Sequence, residues 1–140
     1  MLTLLIILCI TASAFDLMVR RIPNWLNALI FLNAILYWQL DTQSGFNSLI
    51  FSLLLIVPLL LFAFAKNKIG AGDVKMIIAI LPMLKITALT NFILVSALSG
   101  GVLAIICLII AKFRGGLTSV PYGIAIGIGG VTAVWLASLT

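Results

Sequence analysis

Apolar stretches cover most of this chain, and most of its charged residues lie in the short segments between them. Six stretches can be delimited, each close to the length of a helix that crosses the hydrocarbon core of a bilayer. They are Leu2 to Val19, Trp25 to Leu40, Asn47 to Ala65, Val74 to Thr90, Asn91 to Ala111 and Val120 to Leu139. Only 8% of the residues are charged and 64% are hydrophobic, which excludes an ordinary soluble domain. The pattern predicts an all-α membrane protein, a polytopic bundle of six transmembrane helices that forms one domain over residues 1–140.

The basic residues between these stretches predict the orientation of the chain. Most of them follow the first, third and fifth stretches: Arg20, Arg21, Lys66, Lys68, Lys112 and Arg114. The connections after the second and fourth stretches hold only Asp41 and Lys85. The positive-inside rule therefore makes the odd-numbered loops cytoplasmic and both termini external, and the net charge of +5 does not indicate nucleic-acid binding. A cleaved signal peptide ending near Ala14 is the competing interpretation, disfavoured because the basic pair follows the apolar run and does not precede it.

Local sequence signals refine the helices. Pro82 is expected to kink the fourth helix or to end it. Small residues recur every fourth position in the last two stretches, which predicts close approach of helix backbones without indicating a ligand site. These residues are Ser96, Gly100 and Ala104 in the fifth stretch, and Ala125, Gly129, Ala133 and Ala137 in the sixth.

The residue types present restrict the chemistry. The chain has no histidine, which excludes a histidine-activated nucleophile, a histidine-ligated metal and a histidine proton relay. Cys9 and Cys107 lie in apolar runs without metal-binding spacing and are interpreted as buried thiols, so no metal or cofactor is predicted. A catalytic acid or base must come from Asp16, Asp41 or Asp73, with lysine and tyrosine as weaker candidates. Asp41 begins the polar segment DTQSG, which is typical of a turn.

Asp16 and Asp73 are predicted to lie at one depth, on the cytoplasmic edge of the bilayer. Each has a structural alternative: Asp16 could pair with Arg20 four residues later on its helix, and Asp73 could be the N-cap of the fourth helix. Two carboxylates within hydrogen-bonding distance cannot easily both ionise, so such a pair shares a proton. One could then deprotonate a water while the other protonates a peptide carbonyl. Gly70 and Gly72 are expected to permit positive φ and to leave room for an extended substrate.

Three segments resemble motifs of the type IV prepilin peptidases. DLMVRRIPNWL, from Asp16 to Leu26, is similar to their D-x-x-x-R-x-I-P-N segment, and GAGDVKM, from Gly70 to Met76, matches G-x-G-D-x-K. PYGIAIGIG, from Pro121 to Gly129, resembles P-[FY]-G-x-x-x-x-G. The resemblance implies that Asp16 and Asp73 are the catalytic pair. It implies supporting positions at Gly70, Gly72, Lys75, Arg20, Pro23, Asn24, Pro121, Tyr122 and Gly123.

The resemblance also implies an activity and a location. Such a protein is an aspartic endopeptidase of the bacterial inner membrane that removes the basic leader preceding the apolar helix of a prepilin or pseudopilin, without a cofactor. Larger members carry an additional cytoplasmic domain that methylates the new N-terminus. This chain resembles the short form found in Flp, or tight-adherence, pilus systems, so methyltransferase activity is not expected. The sequence predicts no oligomeric state.

Two rival functions are compatible with acidic residues in a membrane protein. One is a small proton-coupled transporter, in which an intramembrane carboxylate carries the proton. The other is a non-catalytic subunit of a secretion machine. The predicted position of Asp16 and Asp73 at the membrane edge, away from the midplane where transporter sites lie, favours the peptidase.

Overall fold

A computed structural model describes residues 1–40, 46–66, 70–114 and 120–139. The helices are α1 (Leu2–Val19), α2 (Asn24–Leu40), α3 (Phe46–Ala65), α4 (Ala71–Ile80), α5 (Ile86–Arg114) and α6 (Tyr122–Ser138). A single 3₁₀ turn, Leu81–Met83, lies between α4 and α5. No strand occurs in the described ranges, so the all-α prediction is confirmed. Asp41 and Lys68 lie outside the described residues.

Among the residues that the structure describes, two helices are long and apolar enough to cross a membrane, Leu2–Val19 and Ile86–Phe113. Ile56–Ala65 and Tyr122–Ser138 are apolar but shorter. Large apolar side chains on α5 are exposed, among them Leu98 at 70%. Together with the composition, these helices point to a membrane protein, whereas the number of spans and the orientation of the termini stay predictions.

The predicted boundary between the fourth and fifth stretches, at Thr90, is wrong. The helix that begins before Val74 ends at Ile80, and α5 starts at Ile86. Pro82 lies in the first part of the intervening 3₁₀ turn, where its missing backbone N–H cannot continue the hydrogen bonding of α4. Composition could not reveal this break because the residues on both sides of it are equally apolar.

The break gives α4 and α5 very different lengths. The 10 residues of α4 and the 3-residue turn together rise about 21 Å, less than the roughly 30 Å of a hydrocarbon core. The 29 residues of α5 rise about 43 Å, more than that thickness. The short α4 packs among α2, α3 and α6.

Small residues form the contact between α5 and α6, as their spacing predicted. A Cβ atom placed on Gly100 would lie 3.5 Å from the Cβ of Ala125, and one placed on Gly129 would meet Ser96. The hydroxyl of Ser99 also donates to the carbonyl of Ala125, at 3.4 Å. These contacts bring the two backbones close together.

Other glycines of α6 allow α1 and α4 to pack closely against it. A Cβ on Gly127 would lie 3.4 Å from both Cys9 and Ser13 of α1, and one on Gly130 would lie 3.0 Å from Ile80 of α4. Helix α6 is therefore packed against both of the helices that carry Asp16 and Asp73. Cys9 is buried here, as predicted. The prediction of a buried thiol is wrong for Cys107, which is only half-buried because its helix, α5, exposes most of its surface.

Candidate active site

Asp16 is a buried carboxylate near the C-terminal end of α1, with 8% of its surface exposed. Its Oδ2 accepts a hydrogen bond from the backbone N–H of Gly123 at 2.8 Å. Gly123 lies in the first turn of α6, where backbone N–H groups have no partner within the helix. Asp16 thus caps α6 from another helix, in the geometry that a helix N-terminus offers to an anion.

The contact between Asp16 and Gly123 requires glycine. A Cβ atom at Gly123 would lie 2.8 Å from Oδ2 and 3.2 Å from Cγ of Asp16, both shorter than ordinary van der Waals contact. Gly123 was predicted only as a supporting position at the entrance to α6. The structure makes it the hydrogen-bonding partner of a candidate catalytic acid.

The chain leaves α1 through a left-handed residue. Arg20 has φ 53° and ψ 31°, and its N–H bonds to the carbonyl of Asp16 at 3.0 Å. Arg20 therefore ends the helix, and its pairing with Asp16 stays a prediction. The chain then turns Ile22 inward, and α2 begins after Pro23.

Asp73 lies in the first turn of α4, three residues after the N-cap, Gly70. The alternative that Asp73 is itself the N-cap is therefore wrong. Its carboxylate accepts the backbone N–H of Gly70, which is half of a capping box, because a side chain at the third helical position can reach back to the N-cap.

The expectation of positive φ at Gly70 and Gly72 is wrong. Gly70 has φ −70° and ψ 147°, and Gly72 lies inside α4. A Cβ on Gly70 would lie 3.2 Å from Oδ2 of Asp73, and one on Gly72 would lie 3.6 Å from Cβ of Ile22. Glycine at position 70 is thus explained by space beside the carboxylate and not by backbone freedom.

Asp16 and Asp73 line one cavity of about 520 Å³, here called the aspartate cavity. Its walls come from the end of α1, the loop that follows, the start of α2 and the first turn of α4. The lining residues are Asp16, Arg20, Arg21, Ile22, Pro23, Asn24, Gly70, Ala71, Gly72, Asp73 and Lys75. Eight of the predicted site residues are therefore gathered at this cavity, although they come from two distant segments of the chain.

The three remaining predicted residues lie behind or beside the cavity. Gly123 bonds Asp16 from behind, and Pro121 is the N-cap of α6. Tyr122, which is 44% exposed, places its ring 3.6 Å from a Cβ position on Gly100 of α5. This contact makes Tyr122 a packing residue between α5 and α6 in this structure.

The electrostatics of the aspartate cavity favour proton uptake by Asp73, which precedes the predicted fourth span. Burial, and next the nearby charge of Asp16, raise the pKa of Asp73 to about 6, while the hydrogen bond from Gly70 acts in the opposite direction. A carboxyl group that titrates near neutral pH in a cavity is suited to acid–base chemistry. Within the described ranges, no three His, Cys, Asp or Glu side chains are grouped to hold a metal.

A polar contact joins the two segments across the cavity. The ammonium group of Lys75 on α4 donates to Oδ1 of Asn24 at the start of α2, at 2.9 Å. Both side chains are exposed, so the contact joins the two segments but contributes little to stability. Lys75 and Asn24 were predicted as supporting positions without individual roles.

Ile22 is the site residue that sequence reasoning missed. It is 7% exposed and lies between Gly72 on α4 and Gly123 on α6. Ile22 is the I of the D-x-x-x-R-x-I-P-N segment, but only its neighbours Arg20, Pro23 and Asn24 were predicted as supporting positions. The further signal was a single isoleucine in a loop expected to be polar. An apolar side chain there indicates an inward-facing position.

Comparison with known proteins identifies the family to which this chain belongs. A model of the type IV leader peptidase family matches residues 3–105, a range that includes both aspartates and excludes the segment Pro121 to Gly129. Searches of curated proteins and of solved structures gave no significant match. Since the family model covers well over half of the sequence, the chain belongs to the type IV leader peptidase family, a family of proteases.

Proposed function

We propose that this protein is an aspartic endopeptidase that removes the leader of a type IV prepilin or pseudopilin by means of a water molecule activated between Asp16 and Asp73. The observation that carries the proposal is the arrangement of the aspartate cavity. Two of the three acidic residues in the sequence come from separate helices and line the same cavity. Burying two acids close together costs free energy, so a pair of this kind indicates a functional site.

The two carboxylates have different surroundings and therefore different roles. Asp73, whose pKa is raised to about 6, acts in its protonated form and donates the proton to the carbonyl oxygen of the scissile bond. Asp16, whose Oδ2 is fixed by Gly123, accepts a proton from the water as the water oxygen attacks the carbonyl carbon. The tetrahedral intermediate carries two hydroxyl groups. When its C–N bond breaks, the leaving amine takes the proton held by Asp16, and one of the hydroxyl groups returns a proton to Asp73. No covalent enzyme intermediate forms.

The membrane arrangement we propose is a six-span protein of the bacterial inner membrane with external termini and the aspartate cavity facing the cytoplasm. Arg20, Arg21 and Lys75 line the cavity, which supports a cytoplasmic position through the positive-inside rule. Asp73 lies in the first turn of α4, and a position of that turn at the membrane edge would let a polar leader enter from water. The substrate's apolar helix then remains in the bilayer. This arrangement needs no nucleic acid and no cofactor.

Hydrolysis can be tested with purified protein in detergent and a type IV prepilin that still carries its leader. Asp16→Asn and Asp73→Asn should each lower the cleavage rate by about 10²- to 10⁴-fold, because an amide cannot transfer the required proton. Asp41→Asn is the matched control and should keep the wild-type rate, since it makes the same substitution at the only other acidic residue.

Other outcomes would support the rival functions. Wild-type cleavage by both Asp16→Asn and Asp73→Asn would refute the dyad mechanism. A proton-driven flux in proteoliposomes that either substitution abolishes, without any cleavage, would indicate a transporter. Normal pilus assembly by both variants would indicate a non-catalytic subunit.

A further inference from the structure

The side chain of Ile22 bridges the first turns of α4 and α6. Its Cβ and Cγ1 lie 3.6 and 3.8 Å from the position that a Cβ of Gly72 would occupy. Its other end, Cδ1, lies 3.0 Å from the corresponding position at Gly123. A Cβ at Gly72 would be in ordinary contact with Ile22, whereas one at Gly123 would be too close to it, so a single isoleucine fills the space beside both backbones.

Both of these backbones hold a candidate catalytic acid. Gly72 directly precedes Asp73, and Gly123 donates the hydrogen bond that holds Asp16. We propose that Ile22 is a positioning residue, whose side chain sets the distance between Gly72 and Gly123 and thereby the spacing of the two carboxylates. The proposal rests on the proposed function, because this spacing matters to the reaction only if the aspartates hold one water.

Ile22 is suited to this role because its own position is fixed. The left-handed Arg20 ends α1 two residues before it, and Asn24, two residues after it, is bound to Lys75 of α4. A β-branched side chain has few rotamers, and a packed interior resists compression, so Ile22 acts as a rigid spacer. Misplacing a reacting group by about 1 Å can lower the rate about 10²-fold.

Ile22 also keeps water away from the carboxylates, since it is buried and lines the aspartate cavity. Burial is the first cause of the raised pKa of Asp73, so truncating Ile22 should lower this pKa toward its ordinary value. The uncharged polar groups beside the two carboxylates include Asn24 on α2 and the backbone N–H of Gly123 on α6. The charged groups at the cavity are Asp16 from α1, Arg20 and Arg21 from the loop, and Asp73 and Lys75 from α4.

The test compares Ile22→Val and Ile22→Ala with Ile80→Val and Ile80→Ala. Ile80 is the matched control because it is also buried and lies 3.0 Å from the position that a Cβ would occupy on a glycine of α6, Gly130, while it does not line the cavity. Ile22→Ala should lower kcat by about 10- to 100-fold while KM changes less than about threefold. Ile22→Val should have a smaller effect. The Ile80 variants should lower the melting temperature at least as much and leave kcat unchanged.

A second measurement does not require activity. Isotope labelling of the aspartate side-chain carboxyl gives three NMR resonances to titrate, because the sequence has three acidic residues, all of them aspartate. Asp→Asn variants assign these resonances. The Asp73 resonance should titrate at lower pH in Ile22→Ala than in the wild type, and at the wild-type pH in Ile80→Ala.

The outcomes separate this proposal from the proposed function. If the wild type cleaves prepilin but Ile22→Ala matches Ile80→Ala in kcat and in the Asp73 titration, the spacer role is refuted and the peptidase stands. If the wild type cleaves nothing, the proposed function is refuted. An unshifted Asp73 titration in Ile22→Ala would then refute the spacer as well.

Discussion

Gly123→Ala tests the link between α6 and Asp16 most directly. The added Cβ would lie 2.8 Å from Oδ2 of Asp16, whereas ordinary contacts begin at 3.4 Å. The carboxylate or the start of α6 must therefore move by at least 0.6 Å, the difference between these two distances. The same Cβ would lie 3.0 Å from Cδ1 of Ile22, so the start of α6 cannot relieve the clash by moving toward Ile22.

The cost of this substitution can be bounded. A displacement of this size weakens the 2.8 Å hydrogen bond from the Gly123 N–H to Asp16, and a bond to a charged group contributes about 1.5–3 kcal/mol. Overpacking adds about 1–3 kcal/mol, and the better helix propensity of alanine offsets up to about 1 kcal/mol. We expect stability to fall by a net amount of about 2–5 kcal/mol, and the misplaced carboxylate should lower kcat by about 10- to 100-fold.

The assay for Gly123→Ala is prepilin cleavage together with thermal unfolding in detergent. Gly101→Ala is the control, because a Cβ on Gly101 of α5 would meet no atom within 4 Å. Gly101→Ala should keep wild-type activity and gain slightly in stability from helix propensity. Wild-type cleavage by a folded Gly123→Ala protein would show that the position of Asp16 does not depend on α6, and would refute the reasoning.

Three further predictions concern the aspartate cavity and the core beside it. In the proposed mechanism Asp73 acts in its protonated form, and its pKa is raised to about 6, so kcat/KM should fall as the pH rises through about 6. A value of kcat/KM that stays constant well above that pH would contradict the assignment of Asp73 as the acid. Gly70→Ala should lower kcat more than Gly72→Ala, measured in the same cleavage assay, because a Cβ at position 70 would lie 3.2 Å from the Asp73 carboxylate and one at position 72 only 3.6 Å from Ile22. Asn27→Leu should raise the melting temperature, because the buried amide of Asn27 has no hydrogen-bond partner among the described residues and an unsatisfied group costs about 1–3 kcal/mol. A lower melting temperature would indicate that Asn27 binds an ordered water.

The sequence predicted those features that depend on composition and local spacing. Low charge and long apolar runs indicated helices, and the four-residue spacing of small residues identified the contact surfaces at Gly100 and Gly129. The convergence of Asp16 and Asp73 was predictable because loops with similar charge are expected on one side of a membrane. Pro82 was correctly expected to interrupt its helix.

What sequence reasoning missed depends on tertiary contacts. The start of α5 at Ile86 follows the turn around Pro82, and the single charged residue before it, Lys85, did not define the boundary because apolar residues lie on both sides. The space needed at Gly70 comes from the direction in which the Asp73 carboxylate points, which its spacing in the motif does not reveal. Ile22 was overlooked because its two contacts lie on helices that are 50 and about 100 positions away.

Helix α6 explains how two distant acids are held at one cavity. Asp16 is bonded to the first turn of α6 through Gly123, and further along Gly127 lies against α1 and close to Met76 of α4. The segment from Pro121 to Gly129 lies outside the range matched by the family model, yet its glycines let α6 serve as the common support of both aspartate-bearing helices. In the proposed reaction the contribution of α6 is therefore to position the two acids. A wider separation of α1 and α4 would move the carboxylates of Asp16 and Asp73 too far apart to hold one water.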